Sequence, residues 1–192
     1  MKIWTIQSYD VIEIIEKNET YFADFKKSSY LRQNENLKEI YTLLLNSFNH
    51  LNNESLSGLI FGFATSTSNN IIEIESIQSF KDFLNDNADI IGGFINKIDK
   101  SNSVIIELDL EVDFNPVCLD INDFQFLMPP IMIMHPFTKE SVNRIVNNIA
   151  NGICEYSELP TKVFQFHIPY IKKSDIVNIY KFDLDYRRED DD

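Results

Sequence analysis

The residues of this chain best suited to chemistry are carboxylates. The segment Val104-Ile105-Ile106-Glu107-Leu108-Asp109-Leu110-Glu111-Val112-Asp113 alternates apolar and acidic side chains. That period marks a strand whose successive side chains point to opposite faces. Ile106, Leu108, Leu110 and Val112 are expected to turn inward, and Glu107, Asp109, Glu111 and Asp113 to form one outward row. At ~3.3 Å per residue, neighbouring carboxylates in the row stand roughly 6.7 Å apart. Without groups from other strands they cannot share a proton or a Mg²⁺ ion, so the row by itself is no catalytic dyad. Like charges in line destabilise a sheet unless cross-strand cations offset them. Either a neighbour such as Lys162 does so, or a basic partner. Three uses stay open: a solvated face, a surface for a basic partner (including imitation of nucleic-acid phosphates), and part of a divalent-metal site. Glu73 and Glu75, on another expected strand, would widen the same acidic face. Asp120 and Asp123 either join it or cap a turn.

Other chemistry finds little footing. A phosphate-cradling loop needs glycines where backbone approaches the ligand, and neither GxxxxGK[ST] nor GxGxxG occurs; Gly58, Gly62, Gly92 and Gly93 do not form one. His50, His135 and His167 are scattered, with no pair at metal-ligand spacing. Cys118 and Cys154 lie in no CxxC or Cys-plus-His spacing and are expected to be buried, reduced thiols. No serine sits in a GxSxG elbow. No catalytic residue, metal-ligand set or cofactor is therefore assigned.

Composition bounds the setting. A chain of 192 residues with 15 Phe and 8 Tyr can bury a core of its own. A net charge of −13 repels phosphate backbones and anionic lipid, so direct nucleic-acid binding is not expected. The segment Met1 to Asp10 lacks the apolar stretch of a signal peptide. The apolar run from Phe126 to Met134 is too short to span a bilayer and contains Pro129 and Pro130. The protein is expected in the cytoplasm, where the sequons at Asn18 and Asn53 carry no weight.

The elements that must position these groups read as one α+β domain over residues 1–186, with a charged tail over 187–192. A mostly antiparallel sheet with about four helices packed on it is expected. Ile3 to Ile6 and Tyr21 to Ala23 read as short strands, with a helix between them that starts at Ser8 and carries Val11, Ile14 and Ile15. Asn36 opens the clearest helix, with Leu37, Ile40, Tyr41, Leu44, Leu45, Phe48 and Leu51 on one stripe. Leu59 to Thr65 and Ile71 to Ile77 suggest a hairpin. Ser79 and Asp89 each start a helix, the second weakened by Gly92 and Gly93. Val104 to Val112 is a strand, Asp120 to Leu127 a helical turn and Ile131 to Met134 a strand. A helix capped by Thr138 follows, then strands over Lys162 to Ile168 and Ile176 to Phe182.

The opening Met1-Lys2-Ile3-Trp4-Thr5-Ile6-Gln7, the segments Ile106 to Leu110 and Asp120 to Phe124, and the closing Lys162 to Ile168 with Asp175-Ile176-Val177 resemble a bacterial family of uncharacterised domains. This is the domain of unknown function 3841 family, whose members open with a Lys-Leu-Trp-Thr-Ile-Gln-like strand. The resemblance implies a fold more than an activity. The order of elements is also similar to ADP-ribosyltransferase-like folds, in which a first strand carries a catalytic His or Arg and a late strand a catalytic Glu. That similarity implies a split pair of sheets around a cleft for NAD. At the matching positions stand Thr5 and Thr161 or Lys162, with Glu158 ahead of Pro160, which implies a catalytically silent relative used for binding. Two functions are carried forward. The first is a non-enzymatic acidic interaction module, bacterial or phage, that engages a basic protein surface or inhibits a nucleic-acid-binding enzyme. The alternative is an NAD-dependent ADP-ribosyltransferase-like enzyme, with Tyr9, Tyr21 and Glu158 as remnants of its cleft.

Overall fold

The first strand, β1 (Lys2–Ser8), keeps Ile3, Trp4 and Thr5 wholly out of water. A strand buried at consecutive positions has both faces covered. The computed structural model describes residues 1–28, 31, 35–67, 70–95, 98–115, 117–120 and 163–183, and its main sheet is built outward from this strand. β1 pairs antiparallel with β3 (Ile60–Thr67) on one side and with β5 (Ser103–Asp109) on the other. The sheet continues from β3 to β7 (Val163–Ile168) and β6 (Val117–Asp120), and from β5 to β9 (Ile176–Lys181). A short β4 (Asn70–Ile72) folds back on β3, and every pairing is antiparallel. Away from this seven-stranded sheet, β2 (Thr20–Phe22) pairs with β8 (Tyr170–Lys172) in a separate ribbon. The described residues thus form an α+β architecture with a mostly antiparallel sheet.

Side-chain alternation divides the core into two layers. On one face Trp4, Phe63, Ile105 and Val163 pack beneath three helices, α2 (Glu35–Asn52), α3 (Ile77–Asp86) and α4 (Ala88–Ile95). Tyr41, Leu44, Leu45 and Phe48 supply the buried stripe of α2, at the spacing of one helix face. Phe80 of α3 stacks on Trp4 with ring centroids 5.2 Å apart. The indole N–H of Trp4 donates to the Ile74 carbonyl at 2.6 Å, so the largest buried side chain leaves no polar atom unpaired. On the opposite face Ile3, Ile60, Ile106, Leu108, Phe164 and Phe166 meet Val11, Ile12 and Ile15 of α1 (Tyr9–Asn18), together with Ile171 of the ribbon.

Local chemistry sets the helix ends. α1 stops where Glu19 takes a left-handed conformation (φ 62°) and its N–H bonds back to the Ile15 carbonyl. Ser8 occupies the N-cap without a side-chain bond. Ser76, three residues before the expected Ser79, caps α3 by accepting the Ser79 N–H at 3.1 Å. This early start shortens the strand expected over 71–77 to Asn70–Ile72, because Ile74 drops into the core and the chain then turns into α3. Asp120 closes β6 opposite Phe164; the rest of the helical turn expected over 120–127 lies outside the described residues. The strand expected at 131–134 and the helix expected from Thr138 lie outside the described residues. Among the described residues, no helix is long and apolar enough to cross a membrane.

The join between β1 and β3 depends on a glycine. A Cβ built on Gly62 would overlap Ile3 Cγ2 and stand 3.0 Å from the Trp4 carbonyl oxygen. Ile3 is fully buried and has no room to retreat. Gly62→Ala is therefore expected to lower stability by about 1–3 kcal/mol, the usual cost of overpacking a close-packed site. Urea denaturation of the two proteins measures the difference, and an unchanged midpoint would show that Ile3 yields freely.

Candidate functional site

The acidic segment of β5 does not form one solvent-facing row. Both sheet faces are covered, so the face opposite Ile106 and Leu108 is a second interior, and Glu107 is only 5% exposed within it. Its carboxylate is held on every side. Lys2 Nζ lies 2.9 Å from Oε1, while Asn178 Nδ2 and the Tyr180 hydroxyl each donate to Oε2 at 3.0 Å. Register explains the convergence: Glu107 stands opposite Trp4 on β1 and Asn178 on β9, and Lys2 lies two residues along on the same face. Burial resists ionisation of Glu107, but the donors from Asn178, Lys2 and Tyr180 outweigh it and hold the carboxyl below its ordinary range. Hydrogen bonding to Glu107 in turn raises Lys2, against the small opposing effect of its own burial. The expected neutralising Lys162 lies outside the described residues. Within them, that role at Glu107 belongs to Lys2.

Around this buried carboxylate the other acidic groups split into two sets. Glu73, Glu75 and Asp109 are exposed near Lys2, which also donates to the Glu75 carbonyl at 2.7 Å. Asp109 accepts from the Met1 ammonium at 3.0 Å. Because β5 ends at Asp109, Glu111, Val112 and Asp113 follow outside the strand and are all exposed, Val112 at 38% where an inward position was expected. Glu111 and Asp113 border a small polar cavity of about 160 Å³ shared with Tyr170, Lys172 and Asp175. There the Lys172 ammonium lies 4.8 Å from the centre of the Tyr170 ring, a cation–π contact. Among the described residues, no group of three or more His, Cys, Asp or Glu is placed to hold a metal ion.

Thr5 and Tyr21 occupy different surroundings. Thr5 is fully buried, its hydroxyl donating to the Phe61 carbonyl and accepting from Gln7 Nε2, each at 2.8 Å. It presents nothing to a ligand. Tyr21 lines a larger cleft of about 550 Å³ between α1, the turn after β2, α2 and the start of β3. Tyr9 is half exposed at the start of α1, and Glu158, Thr161 and Lys162 lie outside the described residues. Cys118 is buried on β6, while Cys154, His135, Asp123 and the charged tail lie outside the described residues.

One buried polar group, His167, has surroundings that its sequence neighbours do not indicate. His167 on β7 is wholly enclosed, with Nδ1 2.9 Å from the Val117 carbonyl. A carbonyl only accepts, so the proton resides on Nδ1. Among the described residues, Nε2 is then a buried acceptor without a partner, as is Oε1 of Gln165 two residues away on the same face. Burial pushes His167 down to about 4, against the opposing pull of the Val117 bond. No protein-family model, curated protein or solved structure matches the chain, so its function is argued from these residues alone.

Two outcomes follow from the charges. Glu107 stays ionised in the fold at acidities where the unfolded chain binds a proton, so its contribution is present at neutral pH and fades as pH falls through the carboxylate range. Glu107→Gln is expected to cost about 1–3 kcal/mol at neutral pH by leaving charged and polar partners underused. Thermal melts should show the variant losing less further stability than the parent between about pH 5 and pH 3; parallel losses would remove Glu107 as the acid-sensitive group. His167 is depressed in the fold, so below about pH 6.5 only the unfolded chain gains its proton and stability declines toward about pH 4. A slope of up to roughly 1.4 kcal/mol per pH unit is expected there. Denaturant titrations of His167→Gln should show it flattened.

Proposed function

We propose that the protein is a non-enzymatic interaction module whose acidic face engages a basic surface on a protein partner. The observation that carries this reading is the imbalance of charge around Lys2. The ammonium of Lys2 is committed to buried Glu107, and Glu73, Glu75 and Asp109 stand exposed beside it. Glu111 and Asp113 extend the acidic surface past the end of β5. Glu107 itself is a strut that fixes the first residues of β1 against β5 and β9, and it makes no contact with the partner. A net charge of −13 adds a field that draws in a basic protein and speeds encounter. Such a module would inhibit a nucleic-acid-binding enzyme by covering its basic channel.

The transferase alternative has thinner support among the described residues, because Thr5 commits its hydroxyl to the Phe61 carbonyl and, of Tyr9 and Tyr21, Tyr21 lines the cleft.

Asp109→Lys combined with Glu111→Lys is expected to abolish capture of the native partner from the source cell while the melting temperature changes little. Both carboxylates are exposed, and Asp109 is 69% exposed even in its contact with the Met1 ammonium. Capture should also weaken steeply as salt is raised. Quantitative pull-down with mass spectrometry measures both effects; undiminished capture by the double variant would overturn the proposal.

A further inference from the structure

The cleft beside α1 is chemically unlike the acidic face. Its volume of about 550 Å³ falls within the range of small-ligand pockets. Its walls include the rings of Tyr21, Phe25, Tyr41 and Phe61. Tyr41 ties the wall together, its ring centre 5.8 Å from Phe25 in an edge-on contact and 6.2 Å from Phe61. The Phe25 N–H donates to the Ser57 carbonyl at 3.1 Å, and a Cβ on Gly58 would meet the Ala23 backbone at 2.9 Å. The turn carrying Phe25 is therefore pressed against the chain leading into β3 and is built before any ligand arrives.

Among the described residues, the charges at the rim have one dominant sign. Asp10, Asp24 and Asp99 line the cleft, opposed among the described lining residues by Lys27. Lys27 Nζ lies 3.9 Å from Asp24 Oδ2 with its side chain 86% exposed, too loose a contact to neutralise it. Asp24 Oδ1 accepts the Lys26 N–H at 2.9 Å, which fixes the carboxylate in place. Tyr21 is pushed up by burial and further by the Asp24 charge, so its phenol stays a neutral donor. Aromatic faces beside fixed carboxylates attract cations and repel phosphates and carboxylates.

We infer that this cleft binds an organic cation, an alkylammonium or alkylguanidinium group set against the Tyr21, Phe25 and Tyr41 rings and balanced by Asp24 and Asp10. The group comes either from a free amine or from a Lys or Arg side chain. The site stands apart from the acidic face and does not rest on its proposed role.

Calorimetric titration of the full chain at low salt tests it, with agmatine as the free amine and acetyl-Gly-Arg-Gly-amide as the side-chain source. Saturable binding of at least one probe is expected, weakened roughly threefold to tenfold by Asp24→Asn and by Asp10→Asn. Asp86→Asn, at an exposed position of α3, changes the charge equally and is expected to leave binding alone. Binding of agmatine alone assigns a free amine, binding of the peptide alone assigns a side chain, and mutual competition assigns one site open to both. If Asp24→Asn loosens its turn, as a thermal melt would show, Asp10→Asn carries the comparison. Absence of binding by both probes, or equal weakening by Asp86→Asn, overturns the inference.

Discussion

The antiparallel pairing of β1 with both β3 and β5 is the constraint on which the remaining structure depends. A central strand so placed gives each of its faces to a separate apolar layer, and no face of the sheet is left to water at that point. Every polar side chain on it must then find a partner inside the protein. Trp4 finds the Ile74 carbonyl, Thr5 the Phe61 carbonyl, and Glu107 on the neighbouring strand finds Lys2, Asn178 and Tyr180. Breaking one of these leaves a desolvated group behind, which costs more than the bond itself is worth.

This arrangement also decides what could be read from the chain alone. Local patterns were legible. The stripe of α2, the strands at Ile60, Val104, Val163 and Ile176, and the α+β class all follow from periodicities within a few residues. The acidic strand was legible as a strand but not as a surface, because alternation gives two faces and says nothing of what covers the second. Water and a layer of helices are both consistent with Ile106 pointing one way and Glu107 the other. What identifies Glu107 as interior is its contact with residues 71 and 73 positions away in sequence, and no window along the chain contains them. His167 was hidden for the same reason, since its environment comes from β6 and α2 rather than from its neighbours on β7. The cleft combines side chains from α1, β2, α2, β3 and the segment before β5. Its aromatic residues look like ordinary core residues when taken singly.

Seen together, the carboxylates serve two purposes that the same residue type can meet only in different surroundings. Enclosed and fully bonded, as at Glu107, an acidic group fixes register between β1, β5 and β9, because only one alignment brings Lys2 and Asn178 to it. Left in water, as at Glu73, Glu75, Glu111 and Asp113, it contributes to a field that acts over a Debye length of about 10 Å at 0.1 M salt. The first kind makes the fold unique and the second keeps like molecules apart.

The irregular pairing of β5 with β9 extends this separation to the backbone. Glu107 stands opposite Asn178 but Leu108 opposite Ile176, so Val177 has no counterpart on β5 and β9 is kinked at its middle. Among the described residues β9 ends the sheet on that side, and it carries exposed Val177 and Ile179, features that in a flat strand would template the addition of a foreign one. The kink breaks the regular spacing of donors and acceptors that such a neighbour would need, and Lys181 places a charge on the same edge. The slip just beyond the Glu107–Asn178 pair therefore also disfavours the addition of a further strand along this edge.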